Sequence, residues 1–260
     1  MYEMLKNKKL ELRLLEQNSQ IGAWTNLANP LVCEIIGSLG FDWILIDAEH
    51  GPNSVPLVLS QLQAIAPYAT VPVVRIPNHD ASLIKRYLDI GVTNLLIPFV
   101  DSVQQAENII RATRYPPEGI RGVGAGLARA SRWGSNKEYL HEANDQISLI
   151  AQIESLEGLH NLEEIASMEE IDALFFGPAD IAASMGKLGI PGDPSVKGAI
   201  LSGIKRASAL NKATGIFSSD RAFITDCELA GCRLIGATSD VNLLVSGGRS
   251  LLESYRAAKE

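Results

Sequence analysis

A chain of 260 residues that is 46% hydrophobic and 20% charged can bury one large core and falls in the size range of a single α/β barrel. Its formal net charge of −7, with no basic run, argues against a broad nucleic-acid surface, because such surfaces neutralise phosphates with clustered Lys and Arg. Residues 1–20 alternate charge with leucine (Lys6, Lys8, Lys9, Glu11, Arg13) and hold no apolar stretch long enough for a signal peptide or a membrane span, so a soluble, cytoplasmic protein is expected.

Short β-rich apolar runs alternate with longer segments of helical period, the pattern of βα units around a parallel sheet. The first run, 21–24, leads to a helix over 30–39 that stops at Gly40. The second run is 43–47 and the third 72–76, followed by a helix over 80–90 with Asp80 as N-cap and Gly91 as its stop. The fourth, 94–98, precedes a helix over 102–113 that starts on another capping residue, Ser102.

A long connection runs from 114 to about 147. It carries Pro116, Pro117, Arg121, Arg129 and Arg132 and reads as a loop with one short helix near 138–143. Long loops in compact domains tend to be functional or mobile, although a plain surface excursion fits as well. Runs at 149–153, 173–177, 214–217 and 233–237 follow, and a helix over 240–258, interrupted at Gly247 and Gly248, closes the count.

Several runs (WILI, VPVV, LLIP, ALFF) are almost wholly apolar, as strands covered on both faces should be. The expectation is one domain, 1–260, folded as a (β/α)₈ TIM barrel. An open doubly wound sheet would carry a Gly-rich phosphate loop after its first strand, and Trp24, Thr25 and Asn26 supply none. Cys33, Cys227 and Cys232 lack the paired spacings of a zinc ribbon and are expected to be reduced and buried.

In a parallel barrel the chemistry sits at the C-terminal ends of the strands. Polar residues gather there: Trp24, then Asp47, Glu49 and His50, Arg75, Gln152 and Glu154, Asp180, Ser218 and Ser219, and Thr238 to Asp240. Glu154 and Asp180 end consecutive strands, about 4.8 Å apart, so both carboxylates can converge on one hard cation such as Mg²⁺ or Mn²⁺. Each also has a plain structural explanation, Glu154 as a first-turn carboxylate and Asp180 as an N-cap.

Across the mouth, Arg75 can stabilise a developing enolate oxygen, or simply form a rim salt bridge to Asp47 or Glu49. His50 can work as acid or base near neutral pH, whereas His79, His141 and His160 read as surface residues. No lysine ends a strand, which disfavours imine chemistry. The turn from Gly177 through Ala179 to Asp180 offers backbone N–H groups to an anion.

The segments WILIDAEHGPN, PVVRIP, IKRYLDIG, RYPPEGIRGVG, LARASRW, LIAQIES and FFGPADIAA resemble the 4-hydroxy-2-oxoheptanedioate and 2-dehydro-3-deoxyglucarate aldolase family, in order and over nearly the whole chain. The resemblance implies a divalent metal (Mg²⁺, Mn²⁺ or Co²⁺) on Glu154 and Asp180 with Gln152 beside it. It further implies Arg75 polarising the ketone, His50 in proton transfer, and Asp47 and Glu49 orienting His50 or the metal's waters. The backbone groups of Ala179 and Asp180 would receive the pyruvate carboxylate, and Trp24, Gly177 and Phe217 would border the substrate.

The carboxylate partner of His50 would come from a neighbouring subunit at Asp89, in a homo-oligomer, a hexamer, with the C-terminal helix in its contacts. The reaction implied is cleavage of a 4-hydroxy-2-oxo acid to pyruvate and an aldehyde. Oxaloacetate decarboxylation, cleavage of a malyl-type thioester, and a catalytically idle barrel that binds sugar acids are the alternatives. The chain departs from the related pattern at 25–31 and at Phe217, Ser218, Ser219 and Asp220, where the aldehyde half would sit. It also carries Ala48 in place of a frequent Gly.

Overall fold

The computed structural model describes residues 19–257. Eight parallel strands close into one barrel in sequence order: β1 (Gln20–Thr25), β2 (Trp43–Asp47), β3 (Val71–Arg75), β4 (Asn94–Ile97), β5 (Ser148–Ile153), β6 (Ala173–Phe176), β7 (Ala213–Phe217) and β8 (Leu234–Ser239). This is the single-domain TIM barrel expected. The reading of residues 1–18 as a charged, unspanning segment lies outside the described residues. Among those described, no helix is long and apolar enough to cross a membrane.

Alternation along each strand sorts side chains into two cores. Ile44, Ile46, Val74, Leu95, Ala151 and Phe176 face outward into the layer shared with the helices. Trp24, Trp43, Leu45, Val73, Leu96, Ile150 and Phe175 fill the lumen. Aromatic bulk inside the barrel requires small partners. A Cβ on Gly22 would lie 2.2 Å from the Trp43 ring, and one on Gly215 2.4 Å from Phe175. The same period carries inward-facing positions up to the mouth, so Asp47 follows Leu45, Arg75 follows Val73, and Gln152 follows Ile150.

The outer layer is α1 (Pro30–Ser38), α2 (Val55–Ile65), α3 (Ala81–Asp89), α4 (Val103–Thr113), α5 (Tyr139–Glu142), α6 (Leu156–His160), α7 (Leu162–Ser167), α8 (Pro178–Ser184), α9 (Pro194–Ala209), α10 (Arg221–Leu229) and α11 (Asp240–Ala257). The caps expected from sequence form. The Asp80 carboxylate accepts from the Leu83 amide, and Ser102 and Gln105 make a capping box. The 114–147 connection holds two 3₁₀ turns besides α5.

One expectation is overturned. Gly247 and Gly248 do not interrupt α11, which runs unbroken through both; glycine lowers helix propensity by only about 1 kcal/mol and need not stop a helix. Nor does α11 complete the helical layer. Asp240 is its only buried residue, and 241–257 are exposed, including Leu243, Leu244, Val245, Leu251, Leu252 and Tyr255. On the barrel itself, Leu31 and Ile35 of α1 and Leu39, its C-cap, are likewise uncovered.

Candidate active site at the C-terminal mouth of the barrel

Arg75 ends β3 directly across from Asp47, its register partner on β2. Its Nε donates to Asp47 Oδ1 (2.9 Å) and its Nη2 to Asp47 Oδ2 (2.8 Å), while Nη1 lies 2.9 Å from Glu49 Oε2. The guanidinium carbon sits 4.5 Å from the centre of the Trp24 ring. The salt bridge weighed from sequence therefore exists, and it involves both carboxylates. It orients the planar fork at the strand end without removing it from the mouth.

Asp47 is fully buried and is saturated as an acceptor. Besides the two Arg75 bonds it takes the Asn26 side-chain amide (2.7 Å) and the backbone N–H groups of Glu49 (3.1 Å) and His50 (3.4 Å). It holds Arg75 and the 47–51 turn together and carries no spare lone pair for proton abstraction. His50 projects from that turn with two-thirds of its side chain in solvent, and its Nε2 is 3.9 Å from Glu49 Oε2.

On the opposite wall, Gln152 and Glu154 leave β5 side by side. Gln152 Nε2 donates to Glu154 Oε2 (2.6 Å), and the Phe99 amide donates to Glu154 Oε1 (2.9 Å). Gly177 is required here, because a Cβ at that position would stand 2.6 Å from Glu154 Oε2. Asp180 occupies the first turn of α8. Burial pushes the Glu154 carboxyl up to about 8, the Phe99 bond opposes that shift, and the charges of Asp180 and Glu49 add to it. Burial also raises the pKa of Glu49, with Arg75 and His50 opposing and Asp47 and Asp180 adding to the rise.

Glu49, Glu154 and Asp180 thus repel one another at the mouth, an arrangement that a cation relieves. The Gln152 Oε1 atom is buried with no hydrogen-bond partner among the described residues. The donor set fits a hard divalent ion. Among the described residues no group of three or more His, Cys, Asp or Glu is disposed to hold a metal. Two carboxylates would serve, with water and substrate oxygens filling the remaining positions.

The other expected residues fall at different levels. Trp24 and Phe217 pack with their ring centroids 4.7 Å apart and their planes tilted by 44°, and they cap the lumen core, forming the floor of the mouth. Ala179, exposed, follows Pro178 in the first turn of α8, where helix amides have no intrahelical partner. Asp89 is not brought to His50. It ends α3, whose C-terminus lies at the far end of the barrel, and Arg121 Nη2 binds its Oδ1 at 2.9 Å. His79, His141 and His160 are exposed, and the three cysteines are free and buried.

Two contributors were not singled out from sequence, and a third, Asp240, was noted only as a polar residue at a strand end. Asn26 braces Asp47, Phe99 braces Glu154, and Asp240 accepts from the backbone of Asn26 and Leu27 (3.0 Å each), anchoring the β1–α1 loop at the rim. Asp240 carried a signal, its place at the end of β8. Phe99 carried none, since its contribution is a backbone N–H that any residue type except proline has.

Known proteins match this chain along almost its entire length. The HpcH/HpaI aldolase/citrate lyase family covers residues 20–246. A hydroxypyruvate/pyruvate aldolase of Pseudomonas aeruginosa is 46% identical over 248 residues, 95% of this chain and 92% of its own. A 4-hydroxy-2-oxo-heptane-1,7-dioate aldolase of Salmonella paratyphi B is 46% identical over 241 residues, 93% and 92%. The crystal structure of an HpcH/HpaI aldolase/citrate lyase family protein from Burkholderia cenocepacia superposes with a TM-score of 0.90 at 38% identity, covering 94% of this chain and 98% of that one. Relatives this similar over this length, on a barrel whose mouth gathers an oriented arginine and mutually repelling carboxylates, leave one assignment: the chain belongs to the HpcH/HpaI aldolase/citrate lyase family and is a carbon–carbon lyase of the aldolase type.

Proposed function

We propose that this aldolase reversibly cleaves a 4-hydroxy-2-oxo acid to pyruvate and an aldehyde with the aid of a divalent cation, Mg²⁺, Mn²⁺ or Co²⁺. The observation that carries the reading is the pairing of opposed walls: Glu154 and Asp180 on one side, and on the other Arg75 locked by Asp47 and Glu49. Glu154 and Asp180 would hold the ion, with Gln152 and the Phe99 amide fixing Glu154. When bound, such an ion acts as a Lewis acid towards the oxygens of a 2-oxo acid.

The chain's own groups account for the rest. Cleavage removes the proton from the 4-hydroxyl and breaks the C3–C4 bond. The bond's electron pair becomes the C2–C3 enolate, the aldehyde departs, and a proton added at C3 completes pyruvate. Arg75 faces the oxygen on which negative charge grows, and its geometry is set before the reaction, so no reorganisation is needed in the transition state. His50 takes and returns the proton, with Glu49 beside it. The Ala179 amide receives the substrate carboxylate, Gly177 leaves room for it, and Trp24 and Phe217 form the floor under the aldehyde half.

The active unit in this reading is a homo-oligomer, a hexamer, in which Asp89 of one copy pairs with His50 of the next. Asp89 is held by its own chain's Arg121 and stays part-exposed, and His50 points into solvent; both are poised for a partner rather than for each other. The exposed apolar residues of α11 supply contact surface for assembly.

Incubating pyruvate with a panel of aldehydes, each with Mg²⁺, Mn²⁺ or Co²⁺, should give aldol product that disappears on chelation and returns when the ion is restored. Undiminished activity in excess chelator would rule out the cation. Oxaloacetate turnover without any aldol product would favour the decarboxylase alternative.

A further inference from the structure

Strand β4 ends at Ile97, and two residues later the backbone of Phe99 turns left-handed, with φ at +49°. Bulky L residues avoid this region because Cβ crowds the following carbonyl, and strained conformations persist only where the surroundings demand them. Here two consecutive amides straddle the kink and both reach across to β5. The Phe99 N–H donates to Glu154 Oε1 at 2.9 Å, and the Val100 N–H donates to the Gln152 carbonyl at 3.1 Å. The ring itself is 40% exposed at the rim, so packing of the side chain does not explain the conformation.

Further bonds hold the kink in place from behind. The Ser155 hydroxyl donates to Asp101 Oδ1, and the Asn161 side-chain amide donates to the Asp101 carbonyl at 2.6 Å. The Asp101 and Ser102 amides donate to Gln105 Oε1 at 2.8 and 3.1 Å. The β4–α4 loop is thereby tied to the β5–α6 loop on both sides of Glu154. With Gln152 on the other oxygen, each Glu154 oxygen has one donor within the chain and keeps acceptor capacity for something else.

We propose that Phe99 is a positioning residue for the cation-binding carboxylate. Its left-handed backbone, not its ring, aims the amide that fixes the plane of Glu154. The proposal rests on the cation reading given above. Groups that orient a metal ligand are worth about 10- to 100-fold in affinity, and the requirement here is conformational. Residues that tolerate the left-handed region should preserve the site, and residues that resist it should loosen it.

The test is Mn²⁺ binding to the intact, substrate-free protein, followed by the paramagnetic resonance of free Mn²⁺, for wild type, Phe99→Gly, Phe99→Asn, Phe99→Ala and Phe99→Val. Gly and Asn adopt positive φ most readily and should bind within about threefold of wild type. Val, branched at Cβ, should bind about 10- to 100-fold more weakly, and Phe99→Thr, branched in the same way, carries the comparison if the Val protein does not fold; Ala, which resists the left-handed region no more than Phe does, should bind like wild type and controls for loss of the ring. Equal affinity in the branched variant and the wild type overturns the proposal. So does a loss in the Gly and Asn proteins as large as that in Val, which would move the effect to the ring. Wild type that binds no Mn²⁺ overturns the cation reading itself, and this inference with it.

Discussion

Arg75 has every nitrogen of its guanidinium turned toward a carboxylate, and this decides what a substitution should do. Lysine at that position keeps the charge but cannot occupy the two Asp47 oxygens and Glu49 together, because an ammonium is a single point of charge rather than a fork. Arg75→Lys should therefore lower kcat by about 100-fold, in the range found for losing one preorganised donor, with a smaller change in KM. Steady-state kinetics with pyruvate and the best aldehyde would show it. An unchanged kcat in the R75K protein would mean that charge alone suffices at this position. Strand alternation made Arg75, Gln152 and Glu154 legible, because an inward residue at a strand's last position must reach the mouth. Asn26 and Phe99 were not legible, since their partners lie 21 and 55 positions away in sequence and nothing local marks them.

Among elements, the barrel depends on matching large and small residues across its lumen. Gly22 on β1 faces the Trp43 ring on β2, and a methyl group there would overlap three ring atoms at 2.2 to 2.6 Å. Rotating Trp43 away would sacrifice the bond from its indole N–H to the Gln20 carbonyl, 3.0 Å. Gly22→Ala should cost about 1–3 kcal/mol through overpacking, a fall in Tm of roughly 2–4 °C per kcal/mol for a chain of this size. Thermal unfolding with activity measured alongside tests this, and an unchanged Tm would show that the lumen can yield. The strand positions expected from sequence agree with the structure to within one or two residues. The helix caps at Asp80 and Ser102 were equally readable because capping is a local reaction between a side chain and the next turn. The supposed break at Gly247 and Gly248 failed for the complementary reason, as composition gives a propensity and neighbouring turns can override it.

At the scale of the whole molecule, α11 is the conspicuous element. It presents Leu244, Leu251, Leu252 and Tyr255 to solvent while the outer face of α1 stays bare, and exposed apolar surface of this extent marks an interaction site. If the chain assembles through this surface as proposed, replacing Leu244 and Leu251 together by Glu should dissociate the assembly with the barrel still folded, read as a drop in mass by light scattering and an unchanged far-ultraviolet spectrum. If Asp89 completes the site of a neighbouring copy, activity should fall with the mass. A wild-type protein that is monomeric at micromolar concentration would contradict both expectations.

The amino-acid sequence alone determined the barrel, its eight strands and the set of polar residues at their tips. Each of these follows from a periodicity of two or of 3.6 residues and from short-range capping. Tertiary structure decided the rest. It made Asp47 an anchor for Arg75, raised the Glu154 carboxyl by burying it beside other acids, and left α11 exposed outside the helical layer. Those outcomes depend on which distant groups share a volume and on how much water is left between them, and no local pattern in the chain encodes either.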